Sequence, residues 1–339
     1  MLMKYTGLLF SALFVLCFPL FSCNGQTMPQ TNSLQLITSI SLPGVTGRLD
    51  HLSFDRKKNI LFIVALENNT VEVVDLNAQK VIHTIKNMHE PQGLAFISSN
   101  NTLFIANGGT GECAIYNTET FQQISSLQLG DDADNVRYDS TGKRIYVGYG
   151  NGGIVVIDAT NFTIISDIKL SGHPESFQLD EKSKKLYVNI PERDEIAVID
   201  LDKKIVSDRW PITKTKSNFS MSLDNINHRL FVGCRKPAKL LVIDTQTGKT
   251  ISVLNTDGDV DDVFYDIGSK QIYLSCGSGH VDVFTQVDAN TYKTNGNIVS
   301  RPGARTSLFI PPLHQLIVAA QAGLGNKAQL LIYNINHIP

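Results

Sequence analysis

Short apolar runs, each bounded by turn residues, recur at regular intervals along the chain. Leu61-Phe62-Ile63-Val64 is followed by Leu103-Phe104-Ile105-Ala106, Ile145-Tyr146-Val147-Gly148 and Leu186-Tyr187-Val188-Asn189. Leu230-Phe231-Val232-Gly233, Ile272-Tyr273-Leu274-Ser275 and Leu316-Ile317-Val318-Ala319 complete the series. Runs this short, rich in β-branched and aromatic residues, read as strands. A strand that returns seven times at intervals of 41 to 44 residues predicts an all-β fold, a seven-bladed β-propeller.

Each period holds four such segments, so the blades are expected to have four antiparallel strands, a to d outward from the axis. In the third period they are Asn135-Val136-Arg137-Tyr138-Asp139, Ile145-Tyr146-Val147, Ile154-Val155-Val156-Ile157-Asp158 and Thr163-Ile164-Ile165. Turn residues such as Ser140-Thr141-Gly142 and Asn151-Gly152-Gly153 separate them. The last period ends after its third strand, Leu330-Leu331-Ile332-Tyr333, while the segment Leu34–Ile40 stands alone ahead of the first blade. That segment is predicted to become the outer strand of the last blade, closing the ring and leaving no open seam.

Composition is consistent with this reading. The chain has 339 residues, 42% of them hydrophobic, and its 25 glycines suit many tight turns. A formal net charge of -2 offers no general basic surface, which argues against a nucleic-acid partner. Cys113, Cys234 and Cys276 are widely spaced, odd in number and free of any C-x-x-C pattern, so neither a disulfide framework nor a zinc ribbon is implied. Cys276-Gly277-Ser278-Gly279-His280 is one residue too long for haem attachment.

The first residues differ in kind. Lys4 precedes a run from Leu8 to Phe21 that is apolar apart from Ser11 and contains Pro19. It is shorter than the roughly 20 residues a spanning helix needs, so residues 1–22 read as a signal peptide. Leu20-Phe21-Ser22-Cys23 resembles the lipobox of bacterial lipoproteins, which implies cleavage before Cys23, lipidation of Cys23 and attachment to a membrane. Residues 23–32 would then be a flexible polar linker and 33–339 the propeller, in a periplasmic or cell-surface lipoprotein. A soluble secreted protein is the alternative.

Pro91-Gln92-Gly93-Leu94-Ala95-Phe96, the pairs Tyr146-Val147 and Tyr187-Val188, and the recurrent Val156-Ile157-Asp158, Val198-Ile199-Asp200 and Val242-Ile243-Asp244 resemble YVTN-type (YncE-like) propeller repeats of exported bacterial proteins. The resemblance runs from about Leu34 to the end. It implies the architecture but no activity, because propellers of this kind include binding proteins, lactonases, metal-dependent lyases and parts of redox enzymes.

Two motif-like stretches are discounted. Gly148-Tyr149-Gly150-Asn151-Gly152-Gly153 has the letters of a dinucleotide fingerprint, but a strand follows where a helix is required. Gly248-Lys249-Thr250 echoes a phosphate loop, yet it lies in a turn between strands c and d, and Ile243 stands where that motif needs its first glycine.

The two ends of the propeller differ in chemistry. The a-to-b and c-to-d turns, such as Asp180-Glu181-Lys182-Ser183-Lys184-Lys185, read as ordinary solvated hairpins. On the other end, residues leading into strand a are unusually polar: Arg48, Asp50 and His51; Gln92; Asp134 and Asn135; His173 and Glu175; Asn218; Asp261 and Asp262; Arg305. Arg235 joins them from the b-to-c loop of blade five. Since strand a lines the axis, these residues are expected to ring one mouth of the channel and to form a ligand-binding site. Acids gathered there repel one another unless Arg, His or a cation offsets them.

Two functions follow as expectations. One is a binding or interaction module whose acidic mouth takes a small ligand, a cation or a group from a protein partner. The alternative is a metal-dependent hydrolase, lactonase or lyase, with a divalent cation held by His51, His173, Asp134 and Asp261. Two histidines with a carboxylate suit zinc or iron, whereas carboxylates alone suit calcium or magnesium. No haem or copper ligand set is evident, and no catalytic residue is assigned.

Overall fold

The computed structural model describes residues 1–3, 34–323 and 325–336. Residues 4–22 of the expected signal peptide, Cys23 and the linker lie outside the described residues. From Leu34 onward the chain is a seven-bladed β-propeller of seven four-stranded antiparallel sheets, with no α-helix among the described residues. Blade one comprises Leu52–Asp55, Ile60–Ala65, Thr70–Asp75 and Lys80–Ile85, and the remaining blades repeat that order. Blade seven takes Ser307–Ile310, Gln315–Ala320 and Gln329–Ile335 from the C-terminal end and Leu34–Ser41 as its outer strand. Leu34 pairs with Ile335 and Ser41 with Gln329, so the ring closes as the missing strand d requires.

Each interface between neighbouring blades is a hydrophobic layer. Leu61, Ile63, Ile317, Ala319 and Leu330 join blades seven and one, and Phe62, Val64, Leu94 and Leu103 join blades one and two. Strands b and c are therefore buried on both faces, which explains why the recurrent b motif is continuously apolar. Its aromatic member fills the gap between blades, as where the Phe62 and Phe96 rings lie 6.0 Å apart. Burying such a side chain contributes roughly 1.5–3 kcal/mol. Inner strands are also bonded between blades: Phe96 N donates to Ser53 Oγ at 2.9 Å, and Tyr265 N to Ser222 Oγ at 3.1 Å. Cys113, Cys234 and Cys276 are buried free thiols.

The recurrent Val-Ile-Asp has a local cause. Each aspartate ends strand c and accepts backbone N–H groups of the following turn: Thr160 to Asp158 at 2.7 Å, Lys203 to Asp200 at 2.9 Å and Gln246 to Asp244 at 2.9 Å. These are turn-forming side-chain bonds, which places the motif in the architecture.

Candidate functional site at the channel mouth

Four inner strands open with the same backbone device. In blades two, three, five and six a residue in the left-handed conformation, Glu90, Asp132, Ser217 or Asp259, precedes a one-residue bulge in the pairing of strand a with strand b. Two positions after each left-handed residue stand Gln92, Asp134, Phe219 and Asp261, and all four line one cavity. A bulge re-aims the side chains beside it, here toward the axis. Blades one, four and seven have inner strands of only four residues and supply Arg48, then His173 and Glu175, then Arg305 from the chain just ahead of strand a. Arg235 reaches in from blade five, and the cavity measures about 240 Å³.

Of the residues expected from sequence, Arg48, Gln92, Asp134, His173, Glu175, Arg235, Asp261 and Arg305 line this cavity. The others do not. Asp50 is buried, accepting from Arg48 at 2.8 Å and standing 3.0 Å from His51 Nδ1. Asp262 accepts the Ser307 N–H at 2.7 Å and so ties blade six to blade seven. Asn218 is fully buried and its Nδ2 donates to Asn189 Oδ1 at 2.8 Å and to the Glu195 carbonyl at 2.9 Å, clamping blade four to blade five. Asn135 is buried beside Asp134. Of the expected cation ligands, only Asp134 and His173 share a cluster. Their third member is Glu175, while His51 is engaged by Asp50 and Asp261 by two arginines.

Sequence reasoning left out Phe219 and Arg137, while Asp132 and Asp259 also stand where the sequence leads into strand a. The Arg235 guanidinium lies 3.7 Å from the Phe219 ring centroid, a cation–π contact that makes a wall of the cavity. Asp132 accepts from Gln92 Nε2 at 3.2 Å and lies 3.4 Å from His173 Nδ1. Asp259 receives Arg305 Nη1 at 2.9 Å, and Arg137 donates to the Val136 carbonyl at 2.9 Å and to Ser176 Oγ at 3.3 Å. Asp132 and Asp259 occupy the same place in two aspartate-rich stretches, the signal that distinguishes them. Phe219 carries no such signal, because only the bulge turns it to the axis.

The mouth carries both signs of charge, which corrects the expectation of an acidic one. Asp50, Asp132, Asp134, Glu175, Asp259, Asp261 and Asp262 are met by Arg48, Arg137, Arg235, Arg305, His51 and His173. Arg235 and Arg305 both engage Asp261. Burial opposes the charged form of His51, but Asp50, with Asp262 and Asp134 beyond it, pushes the imidazole up to about 10. Burial likewise opposes charging of His173, and Asp134, the Gly150 carbonyl and Asp132 raise it to about 9. Burial, with the charges of Asp134 and Asp261, pushes Glu175 up to about 8. At neutral pH both histidines are therefore cationic and Glu175 is largely protonated, which brings the opposed charges close to balance.

Four buried polar atoms of cavity-lining residues lack a hydrogen-bond partner; Arg305 Nε and Asp261 Oδ2 face each other as an ion pair at 3.1 Å, which leaves Arg48 Nε and Asp134 Oδ1 without an internal counterpart. A second cavity of about 310 Å³ lies at the opposite end, among the hairpins of blades three and four. There Asp139 accepts the Thr141 and Gly142 N–H groups, as an ordinary turn residue does.

No protein-family model matches the chain. No curated protein matches it either. Among solved structures, a chain of hydrazine synthase from Kuenenia stuttgartiensis is similar with a TM-score of 0.76 and 16% identity, over 88% of this chain and 99% of that one. A chain in a crystal structure of the mitotic checkpoint complex is similar with a TM-score of 0.76 and 13% identity, over 95% of this chain and 99% of that one. At such identities the likeness is one of fold, and two proteins so different in role show how little a propeller's shape says about activity.

Proposed function

We propose that this protein is a binding module whose channel mouth holds a small ionic ligand or a charged group presented by a protein partner. One observation carries the reading: a cavity built by residues from blades one to seven is lined by Arg48 and Asp134, whose buried Nε donor and Oδ1 acceptor have no internal partner. Leaving such atoms unmatched costs about 1–3 kcal/mol each, and a ligand with an acceptor and a donor at suitable spacing would satisfy both. The mixed charge of the mouth suits a zwitterion such as an amino acid or a peptide terminus.

A panel of free amino acids and short peptides in buffer containing EDTA tests this by thermal unfolding. A ligand that binds the folded state raises the midpoint, by about 2.7 kcal/mol of stabilisation at a hundredfold excess over Kd. At least one compound is expected to stabilise the wild type and not Asp134→Asn. A panel without any such compound counts against the reading.

The resemblance to YVTN-type repeats and the lipobox-like Leu20-Phe21-Ser22-Cys23 support the further proposal of an exported, lipid-anchored protein whose mouth works outside the cytoplasm. Cys23→Ser is expected to release the protein from membranes into the soluble fraction. Membrane attachment that persists in that variant refutes the anchor.

A further inference from the structure

Within the mouth, Asp134, His173 and Glu175 each place one ligand atom within 4.8 Å of the other two. Asp134 is only 6% exposed, and its Oδ1 is buried without a hydrogen-bond partner. Glu175 has no hydrogen-bond partner for its carboxyl among the described residues. His173 Nδ1 lies 2.7 Å from the Gly150 carbonyl oxygen, so Nδ1–H donates there and Nε2 is the nitrogen turned to Asp134 Oδ2, at 3.8 Å. A backbone carbonyl on one ring nitrogen is the usual way to fix the orientation of an imidazole that binds a metal through the other. Three of the neighbouring guanidiniums have carboxylates of their own: Arg48 has Asp50, Arg235 has Asp261, and Arg305 has Asp259 and Asp261, while Arg137 bonds the Val136 carbonyl and Ser176 and acts on Asp134 and Asp262 through its charge.

We propose that Asp134, His173 and Glu175 bind one divalent first-row transition ion, with zinc as the test ion and an open coordination position facing the mouth cavity, and that the ion displaces to solvent the protons otherwise held by His173 Nε2 and the Glu175 carboxyl. Bonds of about 2.1 Å to a tetrahedral ion put its ligands about 3.4 Å apart. The 3.8 Å between His173 Nε2 and Asp134 Oδ2 thus needs a shift of a few tenths of an ångström, and Glu175, whose ligand atom lies within 4.8 Å of the other two, closes the set by turning its side chain by up to about 1.4 Å. One imidazole with two carboxylates fits zinc, manganese or ferrous iron, whereas calcium and magnesium call for more oxygen ligands. Three protein ligands with a vacant fourth position resemble a ligand-accepting rather than a closed structural site. Arg48, which lines the same cavity, would then favour a ligand that offers an anionic oxygen to the ion, such as a small carboxylate. The inference rests on the mouth being the binding site and adds an ion beside the polar contacts that hold a ligand without it.

Zinc alone is the probe. The full-length processed protein, stripped with EDTA and dialysed, is titrated with zinc by calorimetry, and cobalt is followed by its visible absorption. One equivalent is expected, with affinity at least about tenfold lower in Glu175→Gln and in His173→Ala. His280→Ala serves as the control, because His280 Nδ1 and Asp257 Oδ2, 2.8 Å apart on blade six, are another pair to which zinc could go. Absence of binding, binding unchanged by Glu175→Gln, or binding lost with His280→Ala overturns the proposal. Glu175→Gln removes no hydrogen bond and decides the matter should His173→Ala fail to fold. The amino-acid panel contains EDTA, so loss of the ion and loss of the ligand-binding reading are separate results.

Discussion

His51 shows how the mouth divides its polar residues between structure and binding. Its imidazole sits against the buried Asp50 carboxylate, which Arg48 also engages, and Asp262 and Asp134 add negative charge from blades six and three. The unfolded value is about 6.5 and the folded value about 10, so the native state holds the proton more tightly. The resulting stabilisation is full below about pH 6.5 and is lost as pH rises toward 10. Thermal midpoints are expected to fall steadily between pH 7 and pH 10. His51→Gln should lower stability at pH 7 by about a few kcal/mol, since Asp50 is left with the Arg48 contact and the more distant charge of Arg305, and should flatten that fall. A midpoint equally pH-dependent in the variant contradicts this account. Asp50, His51 and Asp134 look alike in sequence, as polar residues ahead of strand a. Which carboxylate is engaged and which keeps a free oxygen depends on contacts between blades, and a sequence does not display those.

At the scale of the element, the bulge decides what faces the axis. The chain around Pro91-Gln92-Gly93 reveals a strand beginning, but the extra residue shows only in the pairing of Pro91 with Asn107 and Leu94 with Ile105. Gly93 lies where blade two approaches blade three: a Cβ there would stand 1.8 Å from the Asp134 carbonyl oxygen and 2.9 Å from Val136 Cγ2. Gly93→Ala must therefore displace the backbone that carries Asp134. We expect a destabilisation of about 1–3 kcal/mol by thermal or urea unfolding, together with loss of response to ligands of the mouth. A variant of wild-type stability and ligand response would show that this close approach does not hold Asp134 in place. The strands themselves were legible because their signal is local: apolar runs, turn glycines and aspartates such as Asp158 that close the turn after strand c.

For the whole molecule, sevenfold repetition made the ring readable before any coordinates. The missing outer strand of the last blade identified Leu34–Ile40 as its partner, and the observed strand differs only in extending to Ser41. Eight of the residues expected at the mouth line one cavity, because residues leading into the innermost strands gather at one end. The charge of the mouth was legible only in part, since its near balance depends on the burial and pairing that keep His51 and His173 cationic and Glu175 largely protonated. The central claim is that ligands bind at this mouth rather than in the larger cavity among the hairpins at the other end. The most direct test is a calorimetric titration of the most stabilising compound from the panel into wild type, Asp134→Asn, Arg48→Gln and Glu181→Gln, the last altering the opposite cavity. Affinity is predicted to fall at least about tenfold, roughly 1.4 kcal/mol, in the first two variants and to stay unchanged in the third. Unchanged affinity in Asp134→Asn and Arg48→Gln, or a loss confined to Glu181→Gln, would contradict the account.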